Sequence, residues 1–392
     1  MTYRAIYAYA WDVAEVGARP FAEEMRALGL NTVSFAGAYH AGKFLRPKGK
    51  SGKVYFPEDG TAYFRFDPRR YGRVKPLLNS RVAEHDILAD LCKTQGIAVN
   101  AWMVLLHNTR LGMLHPDATV ENAFGDRYVY SLCPSAPDAR EYAVALCKDV
   151  TDNYAVSGPS LETPGFLPYA HGFHHEFALV KQNRWLEAMM GLCFCEHCVA
   201  GARSAGVDAA ALKRRVGAEI ESYFASGVDF PDDMAEAFWL ADAARGDLAA
   251  FLDWRCGVVT SLVKEIRAAV RKDAAIAVIP SVARPTGGAW YEGSDFRAFA
   301  DAGVLIEACF YEPSAARIRA DLFDVLRRIG DAAKLRGILR PSFPDLQSKD
   351  EVVAAAEALR HAGAVGIAFY NYGHLPPHSL GWIADALAIF GD

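Results

Sequence analysis

The chain has no surplus of positive charge. Its 42 Lys and Arg are outnumbered by 47 Asp and Glu, which leaves a formal charge of −5. That removes the electrostatic footprint by which a protein holds nucleic acid or an anionic membrane surface. No apolar run reaches ~18 residues, so no segment is expected to span a bilayer. The start, Met1-Thr2-Tyr3-Arg4-Ala5-Ile6, lacks a basic stretch followed by an apolar one. No secretory signal is therefore expected, and the reading is a cytoplasmic protein. No G-x-G-x-x-G follows the first strand pattern, which argues against a dinucleotide-binding fold. No repeat, low-complexity tract or linker divides the 392 residues.

Cysteine is sparse but unevenly placed. Three of the eight fall in Leu192-Cys193-Phe194-Cys195-Glu196-His197-Cys198, and a fourth lies in Leu132-Cys133-Pro134-Ser135. A large chain without a secretory signal favours reduced thiols, and bunching favours a metal. Cys133, Cys193, Cys195 and Cys198 supply a tetrahedral four-thiolate set, the usual geometry of structural zinc. His197 in place of one thiol is the alternative. An all-thiolate site is closed, so this metal is expected to hold structure and to do no chemistry. Cys193 and Cys195 are read as sharing one face of a strand. Cys92, Cys147, Cys256 and Cys309 sit in apolar patterns and read as inert core.

Short apolar runs alternate with helical patterns, the mark of a parallel sheet. Eight runs are visible: Ala5–Trp11, Thr32–Phe35, Ile97–Leu106, Gly158–Glu162, Ala275–Ser281, Val304–Tyr311, Gly337–Ser342 and Val365–Tyr370. Helices are expected near Phe21–Leu28, Arg81–Thr94, Ala136–Asn153, Leu248–Lys272, Ser314–Ala333, Lys349–Ala362 and Leu380–Phe390. Eight such units indicate an α/β fold, a single (β/α)8 TIM barrel over 1–392. A doubly wound sheet is the alternative. Residues 40–78 read as an ordered loop over the barrel mouth, because long structureless loops are rare unless functional. Residues 163–246 read as an insertion after strand four that carries the cysteine triplet.

In such a barrel, chemistry sits at the C-terminal ends of the strands. Glu162, Glu312 and Asp345 fall there, with Asp12 after strand one and Glu307 inside strand six. Glu176 lies in Gly172-Phe173-His174-His175-Glu176-Phe177, read as a loop over the pocket. Trp11, His40, Trp102, His107, Asn108, Arg110, His175, Trp290, Tyr311, Arg340, Tyr370 and Asn371 are the candidate substrate contacts. Aromatic faces stack on sugar rings, while Asn, His and Arg bind hydroxyls. Two carboxyls in such a pocket are what glycoside hydrolysis requires.

The order Cys133-Pro134-Ser135-Ala136-Pro137, a helix, a strand ending in Glu162, then Cys193-Phe194-Cys195-Glu196-His197-Cys198 resembles family 42 β-galactosidases of glycoside hydrolase clan A. The match covers roughly residues 95–200. The resemblance implies four cysteine ligands to zinc and Glu162 as general acid/base. Three features depart from the family. Leu161 stands where the family has Asn before the acid, and His175-Glu176-Phe177 echoes that pattern 14 residues later. Strand seven continues Arg340-Pro341-Ser342-Phe343-Pro344-Asp345 and supplies no Glu, so the nucleophile falls to Asp345 or Glu312, or the retaining mechanism is lost. The third departure is an expectation that the chain is a barrel without the domains that follow it in the family.

The expected function is therefore a glycoside hydrolase acting on a small carbohydrate, with homo-oligomerisation open. Two other readings stand beside it. One is a metal-dependent barrel isomerase, aldolase or lyase using His107, His174 and His175. The other is a sugar-binding barrel without catalysis.

Overall fold

The computed structural model describes residues 2–171, 173 and 176–390. Eight parallel strands close on one another: β1 Tyr3–Ala8, β2 Thr32–Tyr39, β3 Ala98–Val104, β4 Pro159–Glu162, β5 Ala277–Ile279, β6 Leu305–Cys309, β7 Leu335–Leu339 and β8 Gly366–Phe369. Each pairs with its sequence neighbour, and β1 pairs with both β8 and β2, so the sheet has no free edge within the barrel. Helices lie between strands. The chain forms the (β/α)8 barrel expected from its alternation of apolar runs and helices.

Strand parity decides what enters the barrel. Successive side chains alternate faces, so residues two apart share one. Asn100 and Trp102 face inward on β3, as do Ser160 and Glu162 on β4. Low in the barrel, Asn100 Nδ2 donates to Ser34 Oγ at 3.2 Å and to Ser160 Oγ at 2.8 Å. Ser160 Oγ donates to Glu307 Oε2 at 2.5 Å. Glu307 is fully buried in this network, below the mouth. β2 breaks the parity: its register with β3 shifts between Ala36 and Ala38. This bulge re-aims the strand end, so that Tyr39 rather than Ala38 reaches the interior.

Several expectations need correction. The first strand stops at Ala8, and Tyr9, still extended, is the N-cap of a helix over Ala10–Val16. Trp11 is therefore helical. The helix expected over Arg81–Thr94 is two, Ser80–Glu84 and Ile87–Cys92, restarted by Asp86, whose side chain accepts from Ala89 N. The helix after β6 ends at Ile329, where Gly330 takes a left-handed φ of 75°. Cys193 and Cys195 lie on no strand. They precede the helix Glu196–Ser204, whose N-cap is Cys195 and whose first turn carries Cys198.

The long connections are built, not loose. After β2, a hairpin pairs Phe44–Leu45 with Val54–Tyr55, and Thr61–Ala62 adds antiparallel to the end of β2. After β3 comes a hairpin that sequence reading missed, Thr119–Glu121 with Arg127–Leu132. Between β4 and the helix Gly246–Ala269 lie four helices: Arg184–Met190, Glu196–Ser204, Ala209–Ser226 and Asp232–Ala243. They bury their own apolar cluster, with Phe194 stacked on Phe251 at 5.4 Å and Trp239 on Trp290 at 6.1 Å. Burial of each such ring contributes about 2–3 kcal/mol, enough to hold this segment beside the barrel mouth.

Candidate active site

Two adjoining cavities open at the C-terminal end of the barrel. The smaller, about 250 Å³, is walled by inward residues of the strand ends, among them Tyr7, Trp102, Tyr311, Arg340 and Tyr370. The larger, about 630 Å³, runs outward between the loop after β5 and the segment after β4. Glu162, Ile279 and Val282 line both.

Glu162 ends β4, and register pairs Ser160 with Trp102. The Trp102 indole N–H, one strand over, donates to Glu162 Oε2. Burial pushes the Glu162 carboxyl up to about 7, and the Trp102 hydrogen bond partly opposes this by favouring the anion.

Its partner is a residue that sequence reading passed over. Glu292 closes the 3-10 helix Thr286–Glu292 after β5, beside Trp290 and Tyr291 in the wall of the larger cavity. Burial drives its carboxyl up to about 8, and the charge of Glu162 adds to the rise. Ser281 Oγ donates to Glu292 Oε1, and Arg184 and Arg255 pull the other way. The chain locks around it: Phe166 N donates to Glu292 O at 2.9 Å. A Cβ at Gly165 would lie 2.2 Å from that same oxygen, so only glycine allows this approach. The available signal was adjacency to Trp290, one of the candidate substrate contacts.

The other candidate acids lie elsewhere. Glu312 is 1% exposed and lines neither cavity; Arg317 Nε donates to its Oε2 at 2.6 Å. Asp345 is fully buried, 3.1 Å from Arg340 Nε and 3.3 Å from Arg284 Nη1. It positions two arginines and does not itself face the cavity. Burial raises its carboxyl while both arginines lower it. Glu176 is exposed and lines neither cavity. Its charge reaches Tyr130, Tyr169 and Glu187.

The expected substrate contacts divide. His40, Trp102, Tyr311, Arg340 and Tyr370 line the smaller cavity, and Trp290 the larger. His107 is buried and stacks on His40 at 4.2 Å, supporting it from behind. Trp11 packs into an aromatic cluster outside both cavities, 4.7 Å from the Tyr55 ring. Asn108 caps the helix Thr109–Leu114, accepting from Leu111 N at 2.9 Å, and donates to Gly60 O at 3.0 Å. Asn371 is fully buried, accepts from Gly373 N at 2.9 Å, and lines neither cavity. Arg110 is exposed on its short helix. His174 and His175 lie outside the described residues. Cys309, read as inert core, is buried but lines the smaller cavity.

The four thiols converge. Cys133 Sγ lies 3.5 Å from Cys198 Sγ, 3.6 Å from Cys195 Sγ and 3.8 Å from Cys193 Sγ. All four are fully buried, with every Sγ within 4.8 Å of the others. These separations are too long for a disulfide. They match the edges of a tetrahedron with metal–sulfur bonds of ~2.3 Å, which are about 3.8 Å. Among the described residues this is the one group of His, Cys, Asp or Glu placed to hold a metal ion. It ties the hairpin after β3 to the helices after β4.

No helix is long and apolar enough to cross a membrane among the described residues. No protein-family model matches the sequence, and no curated protein matches it. Solved structures do. The catalytic domain of a β-amylase from Paenibacillus polymyxa is similar at 12% identity and TM-score 0.54, over 96% of this chain and 94% of that one. A β-galactosidase from Bacillus circulans sp. alkalophilus is similar at 12% identity and TM-score 0.54, over 99% of this chain. This chain spans about half, 55%, of that protein's length. Both are barrels of glycoside hydrolases, and at this identity the likeness is one of fold.

Proposed function

We propose that the chain is a glycoside hydrolase that cleaves a small glycoside between Glu162 and Glu292. The observation that carries this reading is the pair itself: two half-buried carboxyls lining one aromatic-walled cavity, each raised by loss of water around it and one raising the other. With both carboxyls raised and Glu292 the higher, the two together hold one proton between about pH 7 and pH 8. Glu292, raised further, keeps it and protonates the leaving oxygen. Glu162, whose anion accepts the Trp102 N–H, attacks the anomeric carbon or activates water. This reverses the role that the family resemblance implied for Glu162. The barrel shared with a β-amylase and a β-galactosidase supports the class.

The thiol cluster is read as structural zinc. The metal would supply a crosslink, holding 163–246 as an insertion within a single barrel domain, in reach of the cavity wall.

A panel of nitrophenyl glycosides tests the hydrolase. Glu292→Gln and Glu162→Gln should each lower kcat/KM by about 10²–10⁴-fold on whichever glycoside is cleaved. Wild-type activity in Glu292→Gln would remove it from the mechanism. Product NMR at early times then assigns retention or inversion.

A further inference from the structure

We infer that the sugar seated in the smaller cavity carries a carboxylate, so that the substrate is a glycoside of a hexuronic acid. The inference rests on the hydrolase reading above and names its substrate class.

Arg340 carries it. The residue directly follows β7 and lines the smaller cavity. Its Nε sits 3.1 Å from Asp345 Oδ2, and its guanidinium lies 3.9 Å from the centre of the Tyr311 ring and 5.9 Å from that of Tyr370. The Asp345 contact and the two rings fix the plane of the fork. Its terminal nitrogens, Nη1 and Nη2, make no hydrogen bond to any described residue. Asp345 does not neutralise it alone, because that one carboxylate also serves Arg284 at 3.3 Å. A guanidinium held in place, short of countercharge and with two parallel donors unused, matches a planar carboxylate.

The rest of the wall agrees. Glu162 is the one acid lining the smaller cavity among the described residues, and it belongs to the reaction. The remaining polar lining among the described residues is Arg340, His40, His171, the Trp102 indole and the tyrosine hydroxyls, with no second carboxylate and no side-chain amide to accept from a sugar. The Tyr9 hydroxyl ties together those of Tyr370 at 2.9 Å and Tyr39 at 3.1 Å. A neutral sugar needs acceptors for its hydroxyls as well as donors. A sugar acid brings acceptors of its own.

The test compares nitrophenyl glucuronides and galacturonides with nitrophenyl glucosides and galactosides, both anomers of each, plus a nitrophenyl 6-sulfo-sugar. Thermal shift with free glucuronate and free glucose runs alongside. The expected result is at least tenfold higher kcat/KM on a uronide than on its neutral counterpart. Arg340→Gln should cut that ratio by at least thirtyfold, and Arg340→Lys should restore part of it. The wild-type panel stands even if Arg340→Gln folds poorly. Preference for a neutral sugar or for the sulfo-sugar overturns the inference while leaving the hydrolase. Stabilisation by glucuronate but not glucose, with no glycoside cleaved, keeps the inference and removes the hydrolase. Neither binding nor cleavage overturns both.

Discussion

Replacing Glu292 with Gln should stabilise the protein, and the gain should grow with pH. A free glutamate titrates at 4.5, while burial holds Glu292 at about 8. A raised carboxyl favours the folded state only while the solution is acidic. Its contribution is full below the unfolded value and is lost as pH rises through the folded one. Between those limits the wild-type chain must take up a proton to fold. Each unit of separation is worth about 1.4 kcal/mol. The uptake therefore costs about 1 kcal/mol at pH 5 and about 3 kcal/mol at pH 7. Gln needs no proton, keeps the carbonyl oxygen that Ser281 donates to, and fills the same volume. At ~2 cal/mol/K of unfolding entropy per residue, a chain of this length should gain about 1 °C in Tm at pH 5 and about 4 °C at pH 7. Differential scanning fluorimetry of wild type and Glu292→Gln from pH 5 to 8 measures this directly. A variant no more stable than wild type at pH 7, or a gain that does not widen with pH, would refute the burial argument and with it the role of Glu292 as a proton holder.

Four further outcomes follow from the structure. The pair should give a bell-shaped kcat/KM profile, rising as one proton leaves near pH 7 and falling as the second leaves near pH 8. Trp102→Phe removes the donor that favours the Glu162 anion, so the rising limb should move about one unit upward; an unmoved limb would place the acid elsewhere. Elemental analysis should find about one zinc per chain, and Cys193→Ser should lose the metal and melt several degrees lower; a metal-free wild type with the same Tm would discard the zinc. Asn108→Ala removes a helix cap and the partner of the Gly60 carbonyl, at a cost of about 2 kcal/mol in stability with KM unchanged. A raised KM at constant Tm would instead make Asn108 a substrate contact.

The eight barrel strands were legible because each buries both faces and so reads as an apolar run, bounded by helical spacing on either side. Where aromatics continued such a run past its end, as in Tyr9-Ala10-Trp11, the pattern could not show that the chain had turned into a helix. The thiol cluster was legible from spacing alone, although Cys195 and Cys198 proved to open a helix and not to lie on a strand. The strand-end residues Glu162, Trp102, Tyr311, Arg340 and Tyr370 were legible because parity and position at a strand end are properties of the chain.

What parity could not supply was the company each residue keeps. Asp345 and Glu312 look like Glu162 in the sequence, yet arginines claim both, and burial removes them from the cavity. Glu292 sits 11 residues past Ser281, at the end of a 3-10 helix whose sequence shows neither strand nor α-helix periodicity. Its proton affinity is set first by burial and then by Arg184, Arg255 and Glu162, all distant in the chain. A carboxyl's charge state depends on how much water and which charges surround it. Composition and spacing therefore determined the barrel, the thiol set and the strand ends that wall the cavities. Which carboxyls have their proton affinity raised beside the cavities was decided by desolvation, which exists only once the chain has folded.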